Sequence, residues 1–519
     1  MRHLQQLVLL VTFNFSIFAQ NPKLVADFNK GPISSFNVSN FKGIEYKELL
    51  IFPIVSSDQG EELGIIKNGN LSILKDINLG PISSNPNNFV HYKDKAYFSA
   101  IESNNISGIW STDGTTENTK PSISFISNSG SKPNGLIVSR SGWLYYTVND
   151  TLFRFNGVRN ETIYAKVTFE KQVRHQSNNY CLYKNEVAFI VEENDLINLY
   201  KTESDSVILL SSTNLTSGFA NIYGLAETSQ GLIFGVEDPF REKITGIYSF
   251  NEESKALNKI SVGGSYASRL HQFTEKLSLA WVAGKGYYVI DGIQGNEVLL
   301  FPSSNTVFTQ GEEIVHGISN NKIIFHAFDG FFKDSYLVLS NGTSSETTKL
   351  FIVIQYLSNI IVHENFAFIT SGTSNGFYPE LYRVNLNNGA FDNILNFNQP
   401  SHINSILLLG VQNNKLYFIS DLDTSLGFEL FSMNLETSTK VKTINEEDFN
   451  VIKTNNNYQV ISDKISSLNV SIYTIDGKIL NLDTIKTNTQ YSLPNSNGIF
   501  LMVFQTANTI KVEKIIVSN

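Results

Sequence analysis

Eight histidines and one cysteine are the residues best suited to chemistry in this 519-residue chain. Apart from His3, the imidazoles stand at His91, His175, His271, His316, His326, His363 and His402, with no H-E-x-x-H or comparable metal-ligand spacing. His91, His271, His316 and His363 fall near the start of successive aromatic strands, so a radial fold would bring equivalent positions round one axis. There they could act as metal ligands or as acid and base; satisfied core or loop histidines are the commoner case and the reading taken. The acidic clusters Glu192, Glu193 and Asp195, Asp421 and Asp423, and Glu446, Glu447 and Asp448 lack the D-x-D-x-D-G-x5-E pattern of a calcium loop and read as solvated faces or loop tips. Asp113-Gly114 and Asn341-Gly342 could offer oxygens to Ca2+, but such pairs more simply set the register of a hairpin. No other cofactor is expected. Cys181, within NNYCLYK, reads as a buried inert thiol, and a lone cysteine excludes an intrachain disulfide or a multi-thiolate metal site.

No G-x-S-x-G elbow, P-loop or dinucleotide fingerprint sits in a strand-to-helix context, so the sequence names no catalytic residue. Whether the protein is an enzyme stays open, with the balance toward none. Trp143, Tyr145, Phe331 and Phe332 could stack on sugars at exposed tips, although core packing is the ordinary role of each. Lys plus Arg 39 against Asp plus Glu 48 gives a net charge of −9, which leaves no global positive field for nucleic acid. With 41% hydrophobic and 12% aromatic residues, the chain can bury a large core.

The elements that would position these groups are short strands. Aromatic or apolar strands centre on Phe52, Phe98, Tyr146, Phe189, Phe234, Ala280, Phe325, Phe368 and Phe418, a mean step of about 46 residues, the length of a four-stranded propeller blade. A second strand follows each, at Ile66, Trp110, Phe153, Tyr200, Tyr248, Tyr287, Leu337, Tyr382 and Phe431, so each pair reads as a hairpin. Glycines before several of these, at Gly108, Gly246 and Gly286, suggest turns or bulges with positive φ. LVADFNKGPISS at 24–35 echoes ILKDINLGPISS at 73–84, setting Asp27 against Asp76 and Gly31 against Gly80. Gly-Pro and Ser-Ser there read as the crossing from one blade to the next. The expectation is an all-β chain with a propeller of about eight four-stranded blades, seven to nine, over residues 20–445, followed by a small immunoglobulin-like β-sandwich over 446–519. Antiparallel units of this kind must stack to bury their faces, and a ring leaves no open end. The orphan strand at 24–28 would complete the last blade beside the Phe418 and Phe431 strands.

The two ends carry addresses. Arg2 followed by the apolar run Leu7–Phe18 and small Ala19 has the outline of a secretory signal peptide, residues 1–19. No later window reaches 18 apolar residues, so no transmembrane span is expected in the mature chain.

At the other end, VSIYTIDGKIL, SLPNSNGIFLMVF and KVEKIIVSN resemble the type A sorting domain of the type IX secretion system of Bacteroidetes. Asp476, Gly477 and Lys478 match its turn; Leu493, Pro494 and Gly498 its second element, with three residues rather than one between Pro494 and Gly498; Lys511 and Lys514 its basic tail. The resemblance implies export through that machinery to the cell surface or the medium, at the outer face of a Gram-negative outer membrane. GIWSTDGTTENTK at 108–120 is similar to the E-L-W-x-T-D-G-T repeat of secreted Bacteroidetes proteins, with Trp110, Thr112, Asp113, Gly114 and Thr115 matching and Asn118 in place of a glycine. Around Asn341-Gly342 lies a second copy, and Glu380-Leu381 and Glu429-Leu430 keep only its beginning. That family carries no catalytic residues over. The functional expectation is an exported binding or adhesion module with a glycan or protein ligand on its loops; the alternative is a secreted glycan lyase or hydrolase with its site at the ring axis.

Overall fold

The computed structural model describes residues 22–435 apart from 39–40, 104–105, 127–131, 166–178, 194–195, 215–220, 238–242, 261–267, 275, 283–284, 294–295, 303–315, 320, 330–333, 351–356, 372–379, 396–405 and 423–424, and, in the C-terminal part, chiefly the strands between 450 and 517. The chain divides into a unit of Ser16–Asn434 and a second that holds Leu435–Asn519.

Among the described residues the first unit holds nine four-stranded antiparallel sheets, the upper end of the expected range. Their first strands are Ile44–Tyr46, Asn87–Tyr92, Asn134–Val138, Tyr180–Tyr183, Asn221–Thr228, Ser268–Gln272, His316–Ser319, Leu357–His363 and Ile406–Gln412, for blades 1 to 9 in turn. In eight blades the four strands follow one another in sequence. Blade 9 takes its fourth strand from the other end of the chain: Lys23–Ala26 pairs antiparallel with Glu429–Asn434, Leu24 opposite Phe431. The segment at 23–26 therefore does latch the ring.

The aromatic period marks the second and third strands of each blade. These are buried on both faces, which is why they repeat most clearly. Phe98 lies opposite Trp110, Tyr146 opposite Phe153, Phe189 opposite Tyr200 and Phe418 opposite Phe431. Tyr146 and Phe153 stack with centroids 5.5 Å apart, and Phe189 and Tyr200 at 5.4 Å. Each apolar cluster belongs to a pair of neighbouring blades: Ile51, Leu63 and Ile65 meet Ala96, Phe98 and Trp110 between blades 1 and 2. Leu50, Phe52 and Ile66 meet Tyr417, Ile419 and Leu430 between blades 1 and 9, which closes the circuit.

Because all strands are antiparallel, the turns after the first and third strands share one face, the turn face. The second-to-third turns and the crossovers between blades share the other, the crossover face. Third-to-fourth turns carry a glycine that seats on the preceding blade. A Cβ on Gly114 would lie 2.2 Å from Leu49 Cδ1, on Gly342 3.0 Å from Phe273, and on Gly389 3.0 Å from Leu350. Gly108, by contrast, is no turn residue: it lies within the strand Ile106–Thr112, where a Cβ would sit 2.2 Å from Ile123 O.

The second unit contains an antiparallel sheet of Asn450–Thr454, Asn457–Ile461 and Gln490–Ser492, and another ordered Ile479–Lys486, Ser467–Thr474, Gly498–Gln505, Ile510–Val517.

Gly31 (φ 86) and Gly114 (φ 88) share a left-handed backbone, but only Gly114 has a neighbour within 4 Å. G31A is expected to cost about 1–2 kcal/mol, the left-handed penalty alone, and G114A about 1–3 kcal/mol more from overpacking on Leu49. Urea unfolding of the two variants checks the difference.

Candidate functional site

Two crossovers are built alike, and each is organised by a buried carboxylate from the third strand beneath it. Glu62, fully buried, accepts from Ile77 N at 2.7 Å, Ser84 N at 2.9 Å and Ser84 Oγ at 2.6 Å. Glu429, equally buried, accepts from Phe28 N at 3.3 Å, Ser35 N at 3.1 Å and Ser35 Oγ at 2.7 Å. Asp27 and Asp76 close the same loops by accepting from Gly31 N at 3.4 Å and Gly80 N at 3.3 Å. Asn29 and Asn78 donate to Ser34 O and Ser83 O. Glu62 and Glu429, each followed by a leucine, are thus loop anchors; nothing in the spacing of the sequence points to the second, because Glu429 stands 394 residues from Ser35. Burial pushes both carboxyls up to about 7, against hydrogen bonds that favour their charged form. Above these rigid loops Ile33, Leu79 and Ile82 are exposed.

Asp113 is a turn residue. Its Oδ1 accepts from Thr115 N at 3.0 Å and Thr115 Oγ1 at 2.7 Å, its Oδ2 from Asn118 Nδ2 at 2.6 Å. Thr115 is the largest of the influences that hold its carboxyl below the usual range. Thr112 Oγ1 sits 2.7 Å from Thr119 Oγ1 and accepts from Gly114 N at 3.0 Å, while Trp110 is buried opposite Phe98. Asn341 repeats the arrangement with donor and acceptor exchanged, Asn341 Nδ2 donating to Glu346 at 2.7 Å. Asp291, where Asn296 Nδ2 donates at 3.2 Å, is a third copy, marked in the sequence by Asp291-Gly292 with an amide five residues on.

His91, His271, His316 and His363 all lie on first strands. His91, stacked on Tyr46 at 5.8 Å, comes from blade 2, and His363 from blade 8. Both act electrostatically on Glu45 of blade 1, favouring its charged form, although burial outweighs them and raises its carboxyl. Among the described residues no three His, Cys, Asp or Glu side chains are placed to hold a metal ion. Glu227, at the position of Glu45 in blade 5, is instead taken up by Arg140 Nη2 at 2.9 Å and Lys184 N at 2.6 Å. His326 is buried in the second strand of blade 7, while His175 and His402 lie outside the described residues. Burial raises the Cys181 thiol well above its usual value, in keeping with an inert group. Tyr145 is buried and bonded to Glu186 at 2.9 Å, and Trp143 packs 4.0 Å from the Arg154 guanidinium, so both are packing residues; Phe331 and Phe332 are outside the described residues. Asp195, Asp423 and Glu446 to Asp448 also lie outside them.

In the C-terminal unit Asp476, Gly477, Lys478, Leu493 and Pro494 fall outside the described residues. Gly498 opens the strand that pairs with the last one, where Lys511 stands opposite Phe504 and Lys514 opposite Leu501.

No family model matches the chain, and no curated protein does. Solved structures do. The chain is similar to the computationally designed Ika8 protein, at 12% identity over 74% of this chain and 96% of that one, TM-score 0.33. It is similar to an oligogalacturonate lyase in complex with manganese, at 12% identity over 77% and 99%, TM-score 0.39. A Mycobacterium tuberculosis puromycin-hydrolyzing peptidase matches at 8% identity over 75% of this chain and 60% of its own, TM-score 0.39. None of these likenesses carries an argument about chemistry.

E62A removes the acceptor of Ile77 N and leaves Ser84 N and Ser84 Oγ to share Glu61 O, and is expected to cost about 1–3 kcal/mol in chemical unfolding. The raised carboxyls of Glu62 and Glu429 bind protons more tightly folded than unfolded. Stability is therefore expected to fall as pH rises from about 4.5 to about 7, by up to roughly 3 kcal/mol per group. The decline should flatten in E62Q/E429Q, as read from denaturation midpoints across that range.

Proposed function

We propose that the protein is an exported, non-enzymatic binding module whose crossover face holds a partner outside the cell. The observation that carries this reading is the pair of crossovers pinned from below by Glu62 and Glu429, which present Ile33, Leu79 and Ile82 at 56%, 82% and 50% exposure. Aliphatic side chains on rigid loops lose little entropy when a partner covers them, which suits recognition. The leader-like residues 1–19 and the resemblance of 446–519 to a sorting domain support an extracellular address. Glu45 with His91 and His363 is the one observation that favours the alternative, a glycan lyase or hydrolase with an axial site.

Labelled protein applied to washed bacterial cells and to a glycan array is expected to be retained saturably. I33D/L79D/I82D should lower retention on cells at least about fivefold while the melting temperature stays within about 3 °C of wild type. Release of reducing or unsaturated ends from polysaccharides, abolished by E45Q, would replace this reading with the alternative. Removal of residues 446–519 is expected to leave the product in the periplasm, as seen by cell fractionation; its appearance in the medium would refute the sorting role.

A further inference from the structure

Sheet edges are where a β protein can meet another chain, because the last strand leaves half of its backbone N–H and C=O groups without a ladder partner. In this ring the first strands of neighbouring blades pack against one another, so the fourth strands form the outer rim. Eight of those nine edges carry a residue that discourages a further strand. Lys75, Glu161, Lys259, Lys349, Asp392 and Lys23 put a charge on the edges of blades 1, 3, 5, 7, 8 and 9. Lys120-Pro121 and Pro302 do the same for blades 2 and 6.

Blade 4 is the exception. Its edge, Ser206–Thr213, reads SVILLSST, without charge, proline or glycine, and at eight residues it is the longest of the nine. Strand-forming residues with no charge among them are the composition that favours pairing with a further strand. Ile208 and Leu209 point to opposite faces of the sheet and are 38% and 49% exposed, so apolar surface stays open on both sides of the rim. Among the described residues no backbone group of Val207–Thr213 bonds outside the ladder of its own blade. That ladder slips at Leu210, but the same joint slips in blades 1, 2, 3, 6 and 8. The bulge is common to these sheets, whereas the missing charge is peculiar to blade 4.

The occupant follows from the charges. Ser206–Ala226 contains no charged residue, and Glu203 and Asp205 stand just before it. When two such strands lie antiparallel, the start of each meets the end of the other, so Glu203 and Asp205 of one copy face uncharged residues of the second. Like charges set directly opposite one another, as charged edges paired with themselves would place them, are destabilising. Pairing about a two-fold axis is also closed, because each copy covers the free edge of the other and leaves none for a third. We propose that Ser206–Thr213 is the edge by which two copies of this chain pair, antiparallel about a two-fold axis, joining their fourth blades into one continuous sheet. The contact is short and makes a weak, reversible dimer. It lies on the rim rather than on the crossover loops, and is independent of the binding reading above.

Sedimentation velocity of the full-length protein from about 1 to 100 µM is expected to show a reversible monomer–dimer equilibrium. I208K places an ammonium group from each copy in the contact and is expected to weaken the dimer at least about tenfold, with the melting temperature within about 3 °C of wild type. S72K, on the lysine-bearing edge of blade 1, should leave the dimer unchanged. In the wild type, hydrogen exchange of the amides in Ser206–Thr213 should slow as concentration rises, a reading that needs no variant to fold. A wild type that is monomeric throughout, a dimer that I208K leaves intact, or amides there that exchange at one rate at every concentration would overturn the pairing. So would protection of this strand that comes only with an added peptide of another sequence.

Discussion

A four-stranded sheet that is apolar on both faces has no stable existence by itself, because each face must be covered by another like it. That constraint governs this molecule. The clusters around Phe98 and Trp110, around Phe325 and Trp281, and around Phe52 and Tyr417 each draw on two neighbouring blades and fill the space between them. An open stack would end in two bare faces. The circuit is completed instead by Lys23–Ala26, which joins blade 9 edge-on while Val25 and Phe28 pack against the cluster shared with blade 1.

Polar groups then fix how the blades meet, and they do so differently on the two faces. On the turn face, Tyr92 Oη donates to Gly142 O of the next blade at 2.8 Å, and glycine-bearing turns press against the blade before. On the crossover face, Ser35 N donates to Phe428 O while Val55 N donates to Ser35 O, so one serine ties blade 9 to blade 1; Ser84 does the same between blades 1 and 2. Glu62 and Glu429 neutralise the donors these loops bring inside. The consequence is a stiff crossover face, on which exposed aliphatic groups are held in place rather than collapsing onto one another.

The period of about 46 residues was legible because the second and third strands of every blade are buried on both faces and are therefore written in aromatic and branched residues. The blade number was harder to read. The first strand of blade 1 has three residues, blade 6 carries Ala280 where others carry an aromatic, and blade 9 is assembled from both ends of the chain. The site was less legible still. Glu429 and Ser35 meet only through closure, and the Glu45 and histidine grouping joins blades 1, 2 and 8. The Asp-Gly turns were recognisable locally, since their bonds run within five residues.

Closure by the segment at 23–26 is the claim on which the rest depends, and a disulfide placed across it tests that claim most directly. Lys23 lies opposite Ser432 in the antiparallel ladder, where facing Cβ atoms stand about 4.5–5.5 Å apart and lie within reach of a disulfide after small adjustment. Oxidation of K23C/S432C is expected to give one bridge between those positions, found by peptide mapping, with a melting temperature above that of the reduced protein. Thiols that stay free under oxidation, or a bridge that lowers the melting temperature, would contradict a ring latched in this way.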